Sequence, residues 1–108
     1  TGFTPQTPAY RDAIEKTDAR IGRLLTALSQ RPTRTSEHWT VIITTDHGGT
    51  RFGHGARIKA CRQIFVFAMG DDVIPGELRC PVNQADITPT ILDLLGIKDD
   101  RVSDGVVL

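Results

Sequence analysis

The residues best suited to chemistry lie in a glycine-rich segment in the middle of the chain. Asp46 and His47 are adjacent and precede Gly48 and Gly49, and His54 follows between two further glycines. Carboxylate and imidazole groups are common protein ligands of zinc and related divalent ions. Asp46, His47 and His54 are therefore the candidate metal ligands.

The element before Asp46 decides whether two adjacent side chains can act together. Residues 39–45 are β-branched and apolar, which predicts a strand that ends just before Asp46. Within a regular strand, successive side chains point to opposite faces. At a strand end the chain turns, and Gly48 and Gly49 permit that turn because glycine accepts positive φ. Taken alone, Asp46-His47-Gly48 is also an ordinary turn sequence, and the second histidine favours the metal interpretation.

Further elements can be placed on either side of this segment. Thr7 and Pro8 form an N-cap pair that opens a helix over 8–29, with Gly22 as a weak point or a site of close packing. Residues 63–69 predict a second apolar strand. The helix stripe recurs at spacings of three and four, at Tyr10, Ile14, Thr17, Ile21, Leu24 or Leu25, and Leu28.

A second helix is predicted near the end of the chain. Thr88 and Pro89 form another N-cap pair, and Gly96 is placed as the residue just beyond the helix. The order helix, strand, loop, strand, turn, helix predicts an α/β domain with helices packed on a mostly parallel sheet.

The two apolar segments have a specific place in that sheet. Residues 39–45 and 63–69 are nearly continuous in apolarity, which predicts neighbouring parallel strands buried on both faces. The helix 8–29 should then pack its Ile14, Ile21 and Leu25 stripe on the sheet. Ligands of such sheets bind beyond the carboxyl ends of the strands, so the candidate ligands should converge there.

Composition excludes several classes of protein. The chain has 108 residues, 13 basic and 13 acidic, with 39% hydrophobic and 24% charged residues. This balance is typical of a folded domain and gives no signature of nucleic-acid binding. No apolar run is long enough to span a membrane. Cys61 and Cys80 are too few for a disulfide scaffold, and two separate thiols or one disulfide both stay open.

Two motifs resemble those of a known superfamily. The run 41–49 with Gly53-His54-Gly55, and the later run 84–97 containing Asp86-Ile87-Thr88-Pro89-Thr90, resemble the metal-binding core and a C-terminal segment of the alkaline phosphatase superfamily. The helix before the first motif and the strand after it are similar to elements of that superfamily. The resemblance covers nearly the whole chain.

The resemblance implies a metal-dependent hydrolase of small-molecule phosphate or sulfate esters. Asp46 and His47 would bind one metal ion and His54 another. Two zinc ions are implied, with calcium or manganese as alternatives. A nucleotide-pyrophosphatase-like phosphodiesterase is the leading expectation, followed by a sulfatase, which uses one calcium ion. An extracellular or periplasmic location is compatible with the resemblance, without being specified by it.

The match to the superfamily is also incomplete. Its nucleophile, an early Asp ligand and an Asp-x-x-x-His pair have no counterpart in this sequence, and three ligands are too few for two zinc ions. We therefore expect residues 1–108 to be a single partial domain, the C-terminal portion of an alkaline-phosphatase-like α/β/α fold. It would contribute metal ligands but no catalytic nucleophile, and would be inactive alone.

Other polar residues are expected to have structural roles. Asp86 should hold its loop or cap the helix. The remaining candidates are interpreted as solvated loop charges, surface residues or strand residues: Arg51, Arg57 and Lys59; His38 and Asp93; Thr44 and Thr45. Substrate-binding residues are not assigned. A non-catalytic α/β module, with Asp46-His47-Gly48 as a plain turn, is the alternative from a different class.

Overall fold

The computed structural model describes residues 2–78, 81–98 and 104–108. The chain divides into two compact units, 1–73 and 74–108, and each is described by itself. Helices and a small sheet are both present, so the expectation of a mixed helix-and-sheet structure is confirmed, while the two described strands are too few to show an α/β architecture. That residues 1–108 form one partial domain stays a prediction. Among the described residues, no helix has both the length and the apolarity to span a membrane.

The first unit opens with the predicted long helix. Helix α1 spans Pro8–Ser29, with Thr7 as its N-cap and proline at its start. Pro8 fits there because a first-turn N–H has no partner within the helix. Gly22 does not mark close packing, since a Cβ built on it would meet nothing within 4 Å.

Strand pairing differs from the prediction. Strands β1 (Thr40–Thr44) and β2 (Val66–Gly70) pair in antiparallel fashion, with Thr44 opposite Val66. The expected parallel arrangement of 39–45 and 63–69 is therefore wrong. Parallel neighbours need a crossover connection, and residues 45–65 contain only the short helix α2 (Lys59–Arg62). The chain instead loops out from the end of β1 and returns beside it.

Burial of the strands also differs from the prediction. Most of β1 is half-buried, and most of β2 is exposed, with Phe67 65% and Met69 51% exposed. Within α1, Ile21, Leu25 and Leu28 are half-buried, and the last two line a groove with β1. Ile14 is 52% exposed. The stripe therefore faces the sheet in the C-terminal half of the helix only.

Polar contacts close the hairpin at the end remote from Asp46. The Asp71 carboxylate accepts hydrogen bonds from the Trp39 backbone N–H at 3.0 Å and from Arg34 at 3.2 Å. Gly70 has φ +147° and lies so close to the Trp39 backbone that a Cβ would clash. These contacts fix the register of β1 and so the position at which the chain enters residues 46–55, which carry the three candidate ligands and are called the ligand loop below.

The second unit is built around one buried carboxylate. A 3₁₀ turn, Gln84–Asp86, leads directly into helix α3, Ile87–Leu94. The N-cap is Asp86 and not Thr88 as expected, because the 3₁₀ turn starts the helical path earlier. Pro89 is tolerated since first-turn N–H groups lack helical partners.

The end of α3 agrees with the sequence. Gly96 has φ +65°, and the Ile97 N–H donates to the Leu92 carbonyl at 2.9 Å. This is a Schellman arrangement, in which glycine accepts the left-handed backbone that stops the helix.

Asp86 has the structural role expected of it. Its side chain is 4% exposed and accepts hydrogen bonds from the N–H groups of Asn83 at 2.7 Å and Val106 at 2.9 Å. Both bonds lower the pKa of the Asp86 carboxyl, while its desolvation opposes them. The carboxylate thus ties residues near the chain's end to the start of α3.

Candidate metal site

The ligand loop begins where β1 ends, and a close backbone contact shapes it. The Gly48 N–H donates to the Cys61 carbonyl in α2 at 3.0 Å. A Cβ on Gly48 would lie 2.5 Å from the Gln63 carbonyl oxygen and closer still to that of Ala60. Only glycine allows the backbones to approach this closely, so the glycine is required by packing at this position.

A tight turn returns the chain toward His47. The Gly53 carbonyl accepts hydrogen bonds from the Thr50 N–H at 2.7 Å and the Thr50 hydroxyl at 2.9 Å. The Phe3 N–H donates to the Arg51 carbonyl at 2.8 Å. The turn that precedes His54 is therefore anchored to the segment that leads into α1. Sequence patterns gave no signal for this N-terminal contact.

The structure brings the two histidines of the loop together. The rings of His47 and His54 stack with centroids 4.5 Å apart and an angle of 14° between their planes. Both side chains line an open cleft of about 500 Å³. The buried thiol of Cys61, 6% exposed, also lines it. Spacing did not connect Cys61 with the ligand loop, and Cys80, its possible disulfide partner, lies outside the described residues.

Asp46 lies beside His47, and its position is set by local hydrogen bonds. Its Oδ1 accepts from the His47 N–H at 3.0 Å, and its Oδ2 lies 3.4 Å from His47 Nε2. Desolvation raises the pKa of the Asp46 carboxyl. The charge of His47 and hydrogen bonds from the His47 and Asp46 backbones and Thr45 outweigh it, so the pKa is below its usual 3.8.

The tautomer of His47 follows from its other contact. Nδ1 lies 2.7 Å from the Gly48 carbonyl oxygen, and a carbonyl only accepts, so Nδ1 carries the hydrogen. In the neutral ring, Nε2 then presents its lone pair to the Asp46 carboxylate. Metal-binding histidines commonly donate their second ring nitrogen to such an oxygen.

These distances fit two ligands of one cation. Ligand atoms each about 2.1 Å from a tetrahedral ion lie about 3.4 Å apart, which matches Asp46 Oδ2 and His47 Nε2 at 3.4 Å. Within 2–78, 81–98 and 104–108, however, no three or more His, Cys, Asp or Glu side chains are grouped so as to hold a metal ion. The described residues therefore do not by themselves form a complete metal site.

His38 and Asp93, which were expected to be surface residues, are both exposed. The Nδ1 of His38 lies 3.7 Å from the Asp72 carboxylate, and Asp93 lies on α3. The Thr44 hydroxyl donates to the Phe65 carbonyl at 2.7 Å. The geometry gives Thr44 a role in holding the returning chain.

Known proteins resemble the chain along most of its length. A family model described as Sulfatase matches residues 2–97. A choline-sulfatase of Rhizobium meliloti (strain 1021) is 29% identical over 93% of this chain and 21% of its own. Arylsulfatase K of Danio rerio is 32% identical over 82% of this chain and 18% of its own.

A third relative has a different kind of name. The 2,3-bisphosphoglycerate-independent phosphoglycerate mutase of Desulforudis audaxviator (strain MP104C) is 32% identical over 89% of this chain and 18% of its own. The chain spans about a fifth of the length of these curated relatives. No solved structure matches it.

Proposed function

The chain belongs to the sulfatase family within the alkaline phosphatase superfamily, and we propose that it supplies part of the metal site of a sulfate-ester hydrolase. The superfamily resemblance stated from the sequence is thereby confirmed. The observation that carries the proposal is the meeting of Asp46, His47 and His54 at the end of β1. The whole enzyme would act on sulfate esters of small molecules.

Sulfate esters take precedence over the phosphodiesters expected first from the sequence. The family match and the names of two relatives support this order. Phosphate esters are the second candidate, since a phosphoglycerate mutase is about as similar in sequence. A non-catalytic module is the least supported of the three, because the relatives with which the chain shares most of its length are named as enzymes.

The donor set bears on the identity of the ion. Imidazole nitrogen with carboxylate oxygen suits zinc or manganese, whereas calcium prefers ligands that are all oxygen. Asp46 and His47 would hold one ion, and His54 would add a ligand to the same or a second ion. When bound, a divalent ion stabilises negative charge on the ester oxygens. We assign no nucleophile to this chain.

This chain's own residues would then keep the ligands in position. The Gly48 carbonyl holds the Nδ1 hydrogen of His47 and leaves Nε2 for the ion. The hydrogen bond from the His47 N–H holds the Asp46 carboxylate beside that nitrogen. Both constraints come from the backbone of the same short segment, and side chains held in this way cost less to order around an ion.

Metal titration tests the proposal. The chain and its Asp46→Ala and His54→Ala variants would be titrated with zinc, manganese and calcium chlorides by calorimetry, with His38→Ala as the control. We expect one of these ions to bind, and both site variants to lose about tenfold or more in affinity. His38 lies outside the site, so its replacement should leave the affinity unchanged.

Two results would contradict the proposal. Equal metal affinity in all four proteins would remove Asp46 and His54 from the site. Absence of binding by the chain, and by any longer protein that contains it, would favour the non-catalytic module. Circular dichroism of each variant would separate loss of a ligand from loss of the fold.

A further inference from the structure

The cleft that holds the two histidines is lined by cations. Arg57 and Arg62 line it together with His47 and His54, and none of its lining residues is acidic. The sequence shows the same bias, because residues 47–70 contain four Lys or Arg residues and no Asp or Glu. The chain as a whole is balanced, with 13 residues of each charge. The lining of the cleft therefore carries two arginines and no carboxylate.

The two cleft arginines are not engaged by other side chains. Arg31 pairs with Glu37 at 2.7 Å and Arg34 with Asp71 at 3.2 Å, whereas Arg57 and Arg62 have no ion pair or side-chain hydrogen bond among the described residues. If Arg57 and Arg62 were only solvated surface charges, lining the same cleft would give neither of them a stabilising contact. Two free guanidinium groups facing one cleft are suited to an anion that enters it.

Resting on the proposed function, we propose that the substrate carries a second anionic group besides its reacting ester, and that Arg57 and Arg62 bind that group. The reacting ester would sit at the metal ligands Asp46, His47 and His54. A carboxylate, sulfate or phosphate elsewhere on the substrate would meet the arginines at the side of the cleft. An ester of a quaternary ammonium alcohol would be repelled there.

Three probes of graded charge test the inference. Phenyl sulfate carries one negative charge, 4-carboxyphenyl sulfate carries a second, and choline sulfate carries a cation instead. Their dissociation constants would be measured by NMR titration at low ionic strength, since salt screens such contacts. The proteins are the wild-type chain, Arg57→Gln, Arg62→Gln and the double variant, with metal present. Arg20→Gln on α1 is the matched control.

We expect 4-carboxyphenyl sulfate to bind more tightly than phenyl sulfate. Each arginine replacement should weaken its binding roughly two- to fivefold, as expected for exposed ion pairs. Binding of phenyl sulfate should change little, and Arg57→Lys should retain part of the preference because it keeps the charge. Arg20→Gln should behave as wild type.

The outcomes separate this inference from the proposed function. The inference is wrong if the three probes bind with equal affinity. It is also wrong if the variants weaken the binding of phenyl sulfate as much as that of 4-carboxyphenyl sulfate, because the arginines then do not bind a second anionic group. In both cases metal binding by Asp46 and His54 would be unaffected and the proposed function would stand. If Asp46→Ala and His54→Ala bound metal as tightly as the wild type, while 4-carboxyphenyl sulfate still bound more tightly than phenyl sulfate, only the proposed function would be overturned.

Discussion

One ring nitrogen of His47 is hydrogen-bonded to a backbone carbonyl, and the other lies close to a carboxylate. Nδ1 is held 2.7 Å from the Gly48 carbonyl, and Nε2 is 3.4 Å from Asp46. A cation between Nε2 and the carboxylate would be attracted to both, and a proton on Nε2 would serve the same pair of atoms as an ion pair. The sequence could identify these residues because glycines surround them. It could not identify Cys61, whose place in the cleft depends on how the chain returns after the loop.

Asp86 supports a prediction about acid at the scale of single residues. Its carboxylate accepts two backbone N–H groups, one on each oxygen, and its pKa is lowered from the usual 3.8. A group with a lowered folded pKa stabilises the fold above its unfolded pKa, and that contribution is lost as pH falls through the folded value. The contact to Val106 should therefore persist to below pH 3.8 and then weaken.

The Asp86→Asn variant tests this reasoning. An amide has one accepting oxygen, so one of the two N–H groups would face another donor. We expect lower thermal stability at neutral pH and a difference from wild type that narrows in acid. The Val106 amide shift, followed by NMR against pH, reports the carboxylate directly. Asp93→Asn, at an exposed position, is the control, and an equal effect there would contradict the role of Asp86.

At the scale of elements, the sequence located α1, α3 and the two strands, but it did not predict the short helix α2 or the pairing of the strands. The period of three and four residues gave α1 at 8–29, and the apolar runs located β1 and β2. Strand direction was inferred from apolarity on both faces, which is typical of parallel strands. Apolar residues indicate that a strand will be covered by other parts of the protein, but they do not indicate the direction of the neighbouring strand. The missing crossover helix between 45 and 65 was the better indicator.

The close approach of α2 to the ligand loop gives a prediction for Gly48. A methyl group at this position would clash with the Ala60 and Gln63 carbonyls. Gly48→Ala should therefore displace the loop and separate His47 from His54. We expect metal affinity to fall about 10–100-fold, as when supporting contacts of a metal ligand are lost.

Gly49→Ala provides the comparison, since a Cβ there would lie 3.5 Å from the Gly53 carbonyl, an ordinary contact. Calorimetric titration and circular dichroism of both variants would measure the difference. If both variants bound metal like the wild type, the contact with α2 would have no part in forming the site.

The whole molecule leaves much apolar surface uncovered. Among the described residues, Cys61 is the one buried hydrophobic side chain, while Leu24 is 70% and Phe67 65% exposed. The hydrophobic pattern therefore predicted a covered sheet that these residues do not form by themselves. The chain also spans about a fifth of the length of its curated relatives. Both facts are consistent with a site completed by further polypeptide.

We expect the isolated chain to show no measurable hydrolysis of a chromogenic aryl sulfate or phosphodiester, and a longer protein that contains it to be active. The described residues offer a pair of ligands 3.4 Å apart and one stacked histidine, which is less than a complete metal site. A nucleophile and a completed metal site are each commonly worth orders of magnitude in rate. Both proteins would be assayed with added metal and with chelator. Chelator-sensitive turnover by the isolated chain would show that residues 1–108 already contain the catalytic groups.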